Sequence, residues 1–354
     1  FPLPRFTDFK QILKCGQEQQ LSMAGAAAVA GEELVKFSQV IVGSWPTDWF
    51  SVTPPHGDDT QKTITLIIPG NPGIVRYYTQ FCLDLYLELH QQSAVWAISH
   101  TCHSENDAIP NTTVEREVEH KVMFIKKFVP RGCKLRLVGH SIGCQMILKS
   151  LDELIEHSNT SDPPNGPELA APQFTLGQSY MLFPTIERMK ETPQGRYVWP
   201  VLAYFWWIPP FIGSCLSILP VSVKEKLVHM CLYDGSGLRL RQHVIDSAVS
   251  NVRPDMMRNM LDLAHNELLT VTELDAAAIT RHKSRLVFYY GSQDSWCPVE
   301  FREQLIQRVP GVVAYLCQKG INHAFVVRMS TLMASELGNI IREVEELEMV
   351  QDSG

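Results

Sequence analysis

The chain has 354 residues, of which 45% are hydrophobic and 19% charged, with a formal net charge of −7 and nine cysteines. That length suits one large α/β domain or two smaller ones with ample buried core, and the acidic balance argues against a nucleic-acid groove, which needs a basic surface. The scattered, odd-numbered cysteines form no C-x-x-C pair and no zinc spacing, so they read as free thiols of a reducing compartment rather than as a disulfide framework.

Residues 1–34 are expected to be a disordered extension. Arg5, Lys10 and Lys14 precede an alanine-rich run at 21–30, but Gln17-Glu18-Gln19-Gln20 abuts it, which is a poor signal peptide. Met23 is the expected true start. Val35–Val42 alternates as an outer strand should, and residues 44–60, with Pro46, Pro54, Pro55 and Gly57, read as turn-rich linker. Residues 62–68 form a buried strand that ends in the stiff loop Pro69-Gly70-Asn71-Pro72-Gly73. A helix with Tyr77, Phe81, Leu85 and Leu89 on one face follows, then the strand Ala94–Ile98. It ends in Ser99-His100-Thr101-Cys102-His103. With no carboxylate or cysteine at useful spacing, these histidines read as loop or pocket-rim residues rather than metal ligands. Residues 114–129 make an amphipathic helix with Val118, Val122, Ile125 and Val129 on its apolar face.

Residues 134–138 read as a parallel core strand, followed at once by Gly139-His140-Ser141-Ile142-Gly143 and a helical pattern. Strand, tight turn and helix is the context of a nucleophile elbow, in which a strained turn lifts a serine hydroxyl above the sheet. The N–H of Ile142, at the helix start, would face a developing oxyanion. The second donor is expected from the loop after residue 68, with Asn71 favoured because Pro72 has no N–H. Asn111-Thr112-Thr113 and Asn159-Thr160-Ser161 match glycosylation sequons by chance.

A further strand spans residues 174–183. After residues 190–283 the alternation resumes with a strand at 285–290, a helix at 299–308, a strand at 312–317 and a C-terminal helix at 326–349. The expected fold is α/β, a doubly wound, mostly parallel sheet. Residues 35–189 and 284–349 would form its core, 190–283 an inserted cap and 350–354 a tail. An activated serine needs a base and an orienting acid, following it in that architecture in the order Ser, acid, His. His323, in Gly320-Ile321-Asn322-His323-Ala324-Phe325, stands where the base belongs. Two acids compete, Asp294 after the penultimate strand and Glu187 after the strand before the cap. Asp294 is preferred, because its loop is short and adjoins that of His323.

Several motifs together carry a family resemblance: Pro69-Gly70-Asn71-Pro72-Gly73, the elbow, Phe183-Pro184-Thr185-Ile186-Glu187-Arg188-Met189, Asp294-x-Trp296-Cys297-Pro298 and Asn322-His323-Ala324-Phe325. From about residue 35 to the C-terminal helix the chain resembles the lipid droplet-associated hydrolase family. The resemblance implies an α/β-hydrolase fold with Ser141, Asp294 and His323 as its triad. It also implies a serine lipid hydrolase without cofactor, acting on an apolar lipid ester, with sterol esters as substrate. Its surroundings would be the lipid droplet monolayer and the cytosolic face of the endoplasmic reticulum. His100-Thr101-Cys102-His103 stands where the family's pattern would have His-Ala-Gly-His. A lipid-droplet scaffold on a weakly active hydrolase fold is the alternative from another class.

Residues 197–223 carry no charge, and Pro200, Pro209, Pro210 and Pro220 divide them. They are long enough for a membrane span but too broken for a straight one. A hairpin broken at Pro209-Pro210, with arms 197–208 and 211–219, would dip into lipid on Trp199, Trp206, Trp207 and Phe211. A buried cap lining an acyl pocket is the other reading of this stretch.

Overall fold

The computed structural model describes residues 34–53, 62–103, 112–159, 174–233 and 239–352. The expected extension up to residue 33, the expected start at Met23, Asn111 of the first sequon and residues 160–161 of the second lie outside them. Among the described residues eight strands form one sheet, in the order β1-β2-β4-β3-β5-β6-β7-β8. They are β1 Val35–Val42, β2 Trp45–Val52, β3 Thr63–Ile68, β4 Ala94–Ile98, β5 Cys133–His140, β6 Phe174–Leu182, β7 Leu286–Tyr290 and β8 Val313–Leu316. The β3–β8 strands pair in parallel, while β1 and β2 form an antiparallel hairpin whose β2 runs antiparallel to β4. Residues 64–68 and 135–140 are buried without alternation, as central parallel strands covered on both faces must be. The doubly wound, mostly parallel sheet expected from the pattern is the observed one.

Strand β2 corrects the reading of residues 44–60 as linker. Gly43-Ser44 is a two-residue hairpin turn, with Gly43 at φ 61°, between two runs of β-branched and aromatic residues. Pro46 is tolerated because β4 pairs with β2 only from Trp49 onward, so at Pro46 that side of the strand is an edge. The helices α1 Thr79–Glu88, α2 Val114–Phe128 and α3 Ile142–Asn159 follow β3, β4 and β5. Thr113 caps α2, its hydroxyl accepting from the N–H of Arg116.

Among the described residues between β6 and β7 stand six α-helices: α4 Pro193–Tyr204, α5 Ile208–Ser217, α6 Val221–Cys231, α7 Gln242–Ser250, α8 Pro254–Thr270 and α9 Ala276–His282. The chain breaks between α4 and α5 at residues 205–207, not at Pro209-Pro210. Those prolines occupy the first turn of α5, where a missing N–H costs nothing. Gly213 lets α5 lie close on α8, since a Cβ there would fall 2.5 Å from the Met257 sulfur. Beyond β7, helix α10 Val299–Arg308 leads to β8. The expected C-terminal helix is two, α11 Phe325–Arg328 and α12 Ser330–Asp352, separated at Met329. Helix α12 packs on α1 and α2 on α3. Chain direction reverses about β3 and β5, so the crevice beyond their C-terminal ends is where such a sheet receives a ligand.

Candidate active site

Ser141 follows the last residue of β5 and precedes α3, with φ 54°. A left-handed backbone is uncommon for a residue with a side chain and marks a strained turn. The turn is tight because β3 lies directly beneath the start of α3. A Cβ on Gly143 would stand 2.3 Å from the Ile68 carbonyl oxygen, so only glycine fits. The Ser141 N–H donates to the Leu182 carbonyl on β6, at 3.0 Å, which pins the elbow to its neighbour.

The structure brings Ser141, His323 and Asp294 together from three loops. Ser141 Oγ lies 2.9 Å from His323 Nε2, and His323 Nδ1 lies 2.7 Å from Asp294 Oδ2. A carboxylate only accepts, so Nδ1–H donates to Asp294 and Nε2 is left free to accept from the serine hydroxyl. Asp294 Oδ1 accepts from the N–H groups of Trp296, at 2.7 Å, and Cys297, at 3.2 Å. Burial pushes the Asp294 carboxyl up, but its bonds to His323 and to these donors more than offset that and hold it below the usual carboxylate range.

Glu187, the competing acid, is turned elsewhere. Its Oε2 pairs with the Arg188 guanidinium at 2.6 Å, and burial raises its carboxyl despite that partner. Thr185, which the sequence reading passed over, sits 3.5 Å from Ser141 Oγ. Ile142 is the first residue of α3, and Asn71 follows β3 on the rim of the same cavity. Neither N–H has an acceptor among the described residues. The Asn71 side chain reaches the other way, donating to the Met260 carbonyl of α8 at 2.9 Å.

A cavity of about 480 Å³ opens from Ser141 and His323. Its walls are largely apolar, and the segment between β6 and β7 contributes Leu216, Leu227, Val228, Val252 and Met257 to them. Lys224 also reaches it, with Nζ donating to the Ser217 carbonyl at the end of α5.

His100 and His103 lie in the loop after β4, as expected, but not on the rim of the cavity at Ser141. Both are buried, packed with Glu117, His120 and Lys121 of α2. Lys121 Nζ donates to Glu117 at 2.7 Å, the N–H of Thr101 donates to the same carboxylate at 2.9 Å, and the Gly73 N–H donates to His103 Nδ1 at 3.0 Å. Burial holds His103 down at about 4 and His120 at about 3, so both are neutral. The signal was in α2. Positions 114, 117, 118, 121, 122 and 125 form one helical stripe, and two of its six members are charged. Among the described residues only Asp294, Cys297 and His323 group as metal ligands would, and they belong to the arrangement above.

The four aromatic residues expected to enter lipid divide. Trp206, Trp207 and Phe211 are about half exposed or more, at 48%, 53% and 62%. Trp199 is instead packed, stacked on His265 at 5.7 Å with Lys190 Nζ 3.6 Å from its ring centre. No described helix is long and apolar enough to cross a membrane.

A family model described as Lipid-droplet associated hydrolase matches residues 61–326. The chain belongs to the lipid droplet-associated hydrolase family. It is 33% identical to the lipid droplet-associated hydrolase of Gallus gallus over 83% of this chain and 89% of that one. With that of Homo sapiens it shares 30% over 80% of this chain and 85% of the other. Among solved structures it is similar to the 2-hydroxy-6-oxo-6-phenylhexa-2,4-dienoate hydrolase of Rhodococcus sp. strain RHA1. That likeness has a TM-score of 0.58 at 14% identity, covering 87% of this chain and 99% of that one. At such identity it establishes the fold alone, an α/β hydrolase.

Proposed function

We propose that this family member is a serine hydrolase of apolar lipid esters, sterol esters foremost, acting at the lipid droplet surface and on the cytosolic face of the endoplasmic reticulum. The observation that carries the reading is the unbroken hydrogen-bond series Ser141–His323–Asp294 opening on an apolar cavity. In this reading Ser141 Oγ attacks the ester carbonyl while His323 Nε2 takes its proton. Asp294 holds the imidazole in the required tautomer and stabilises the imidazolium that forms. The N–H groups of Asn71 and Ile142 receive the oxyanion. His323 then protonates the departing alkoxide, leaving an acyl ester on Ser141. Water, deprotonated by His323, attacks that ester and releases the acid. The helices at 190–283 serve as the cap, housing the acyl chain within and presenting Trp206, Trp207 and Phe211 to lipid, on the core of residues 35–189 and 284–349.

The test is labelling with a fluorophosphonate, beside turnover of sterol esters, triacylglycerols and short acyl esters. Wild-type protein should label at Ser141 and hydrolyse at least one ester class, and Ser141→Ala should do neither. A folded wild-type protein that fails to label is a scaffold on a hydrolase fold.

A further inference from the structure

Beneath the reacting side chains runs a second series of hydrogen bonds that joins the two loops the chemistry depends on. His140 Nε2 lies 2.9 Å from the backbone carbonyl of His323, and His140 Nδ1 lies 2.6 Å from the Tyr78 hydroxyl. That hydroxyl accepts from the Gly70 N–H at 2.8 Å. Tyr78 and His140 are both buried, with 2% and 5% of their surface exposed, so water does not complete these bonds.

The chemistry allows one direction only. The His323 carbonyl can only accept, so Nε2 of His140 carries the hydrogen. In a neutral imidazole Nδ1 is then a bare lone pair, and the Tyr78 hydroxyl must donate to it. The Tyr78 oxygen is thereby free to accept from Gly70. Every partner is used once, and reversing any bond would leave a buried group unpaired, at the cost that desolvated polar groups carry. The series also demands a histidine that stays neutral. Burial, with the neighbouring His323, pushes His140 down to about 3, which keeps it so.

We propose that His140 and Tyr78 are positioning residues that lock the His323 loop and the Gly70–Gly73 loop in one register about Ser141. The inference rests on the serine-hydrolase reading above and adds two residues that stand in the wall of the cavity but whose polar atoms bond to the Gly70 N–H and the His323 carbonyl rather than to Ser141 Oγ or the His323 ring nitrogens. Gly70 shows how close that register is. A Cβ there would lie 2.9 Å from Ser141 Cβ and 3.2 Å from His140 Nδ1, so the loop is seated directly on the elbow. Releasing the Gly70 N–H would let the loop carrying Asn71 drift relative to the serine, and small displacements of a stabilising donor are costly to rate.

Tyr78→Phe removes the hydroxyl alone. His140→Gln keeps a donor near the Nε2 position and loses the Nδ1 acceptor. The control is Tyr86→Phe, which deletes the hydroxyl of a buried tyrosine in α1 that has no hydrogen-bond partner among the described residues. With a soluble acyl ester, each of the first two variants should lower kcat by about 10-fold to 100-fold while KM moves less than about twofold. The rate of fluorophosphonate labelling should fall with kcat. Because both residues serve one series, the double variant should be no slower than the slower single one, a non-additivity that two independent packing defects would not give. Tyr86→Phe should match the wild type. Should His140→Gln not fold, Tyr78→Phe decides alone. A kcat for Tyr78→Phe within about twofold of wild type, a change in KM only, or multiplicative losses in the double variant overturns the inference and leaves the serine mechanism standing. Full turnover by Ser141→Ala sinks both.

Discussion

Asp294 and Glu187 are both buried acids that follow strands of the sheet, and hydrogen-bond geometry separates them. Asp294 spends one oxygen on His323 and the other on two backbone N–H groups, so it is fixed in place and ionised. Glu187 closes on its neighbour Arg188. Asp294→Asn would place an amide against Nδ1 and favour the tautomer in which Nε2 carries the hydrogen, leaving Ser141 without a base. Turnover should fall by about 10⁴-fold with the fold retained, by analogy with other triads. Glu187→Gln, which leaves the serine–histidine pair intact, should cost less than about tenfold. Steady-state kcat of the two variants, with thermal melting to verify folding, checks this. The reverse ranking would give Glu187 the orienting role.

At the scale of elements, α4 and α5 have 12 and 10 residues, about 18 and 15 Å of helix, against a hydrocarbon core of about 30 Å. Neither can span it. Their junction at 205–207 instead carries exposed Phe205, Trp206 and Trp207, and α5 adds exposed Phe211 and Ile212. On the proposed function this exposed apolar surface would enter one leaflet, with the hydrogen bonds of each helix already made. Trp206→Asp with Trp207→Asp removes two exposed aromatic side chains and adds two charges, each of which would cost about 2.5–3.5 kcal/mol at membrane depth. The double variant should leave the droplet fraction in flotation while Ser141 still labels. Retention on droplets would mean that the anchor lies elsewhere, and loss of labelling would mean that these tryptophans hold the cap on the core.

The whole molecule carries an unusual load of buried histidine. His100, His103, His120 and His140 are all held below their ordinary value by burial, His103 to about 4 and His120 and His140 to about 3. Each is neutral in the folded state and free to protonate near 6.5 in the unfolded one. Their contribution is present above pH 6.5 and is lost as pH falls below it, toward 3–4 for His103, His120 and His140, at up to about 1.4 kcal/mol per pH unit for each. Glu267 acts in the opposite sense. Burial raises its carboxyl to about 8, so its contribution is present below about 4.5 and lost as pH rises through 8. With His243, also held down at about 4, five lowered histidines act against the raised carboxyls of Glu267, Glu187, Asp84 and Asp262, and the melting temperature should drop between pH 6.5 and 4.5. A flat melting temperature over that interval would show that these side chains are hydrated rather than buried.

Local pattern determined much of this protein. Buried runs such as 64–68 and 135–138 announce parallel strands, because both faces of a central strand must be apolar. Gly139-His140-Ser141-Ile142-Gly143 between strand and helix announces the elbow, because few other residues permit so close a crossing. The order of Ser141, Asp294 and His323 on successive loops could also be read, since strand order along the chain places those loops at one end of the sheet. What depends on distant partners could not. Strand β2 was hidden by Pro46, whose place in the strand is acceptable only because β4 does not pair with β2 there. The stripe on α2 looked apolar until the fold set Glu117 and Lys121 against His100 and Thr101. Trp199 and Trp207 are alike in sequence context, yet His265 and Lys190 cover one and nothing comparable covers the other. The link from Gly70 through Tyr78 and His140 to His323 joins residues up to 253 positions apart by number alone. Only a folded sheet brings such groups within hydrogen-bond reach, and hydrogen bonds, unlike burial, leave no periodic trace in a sequence.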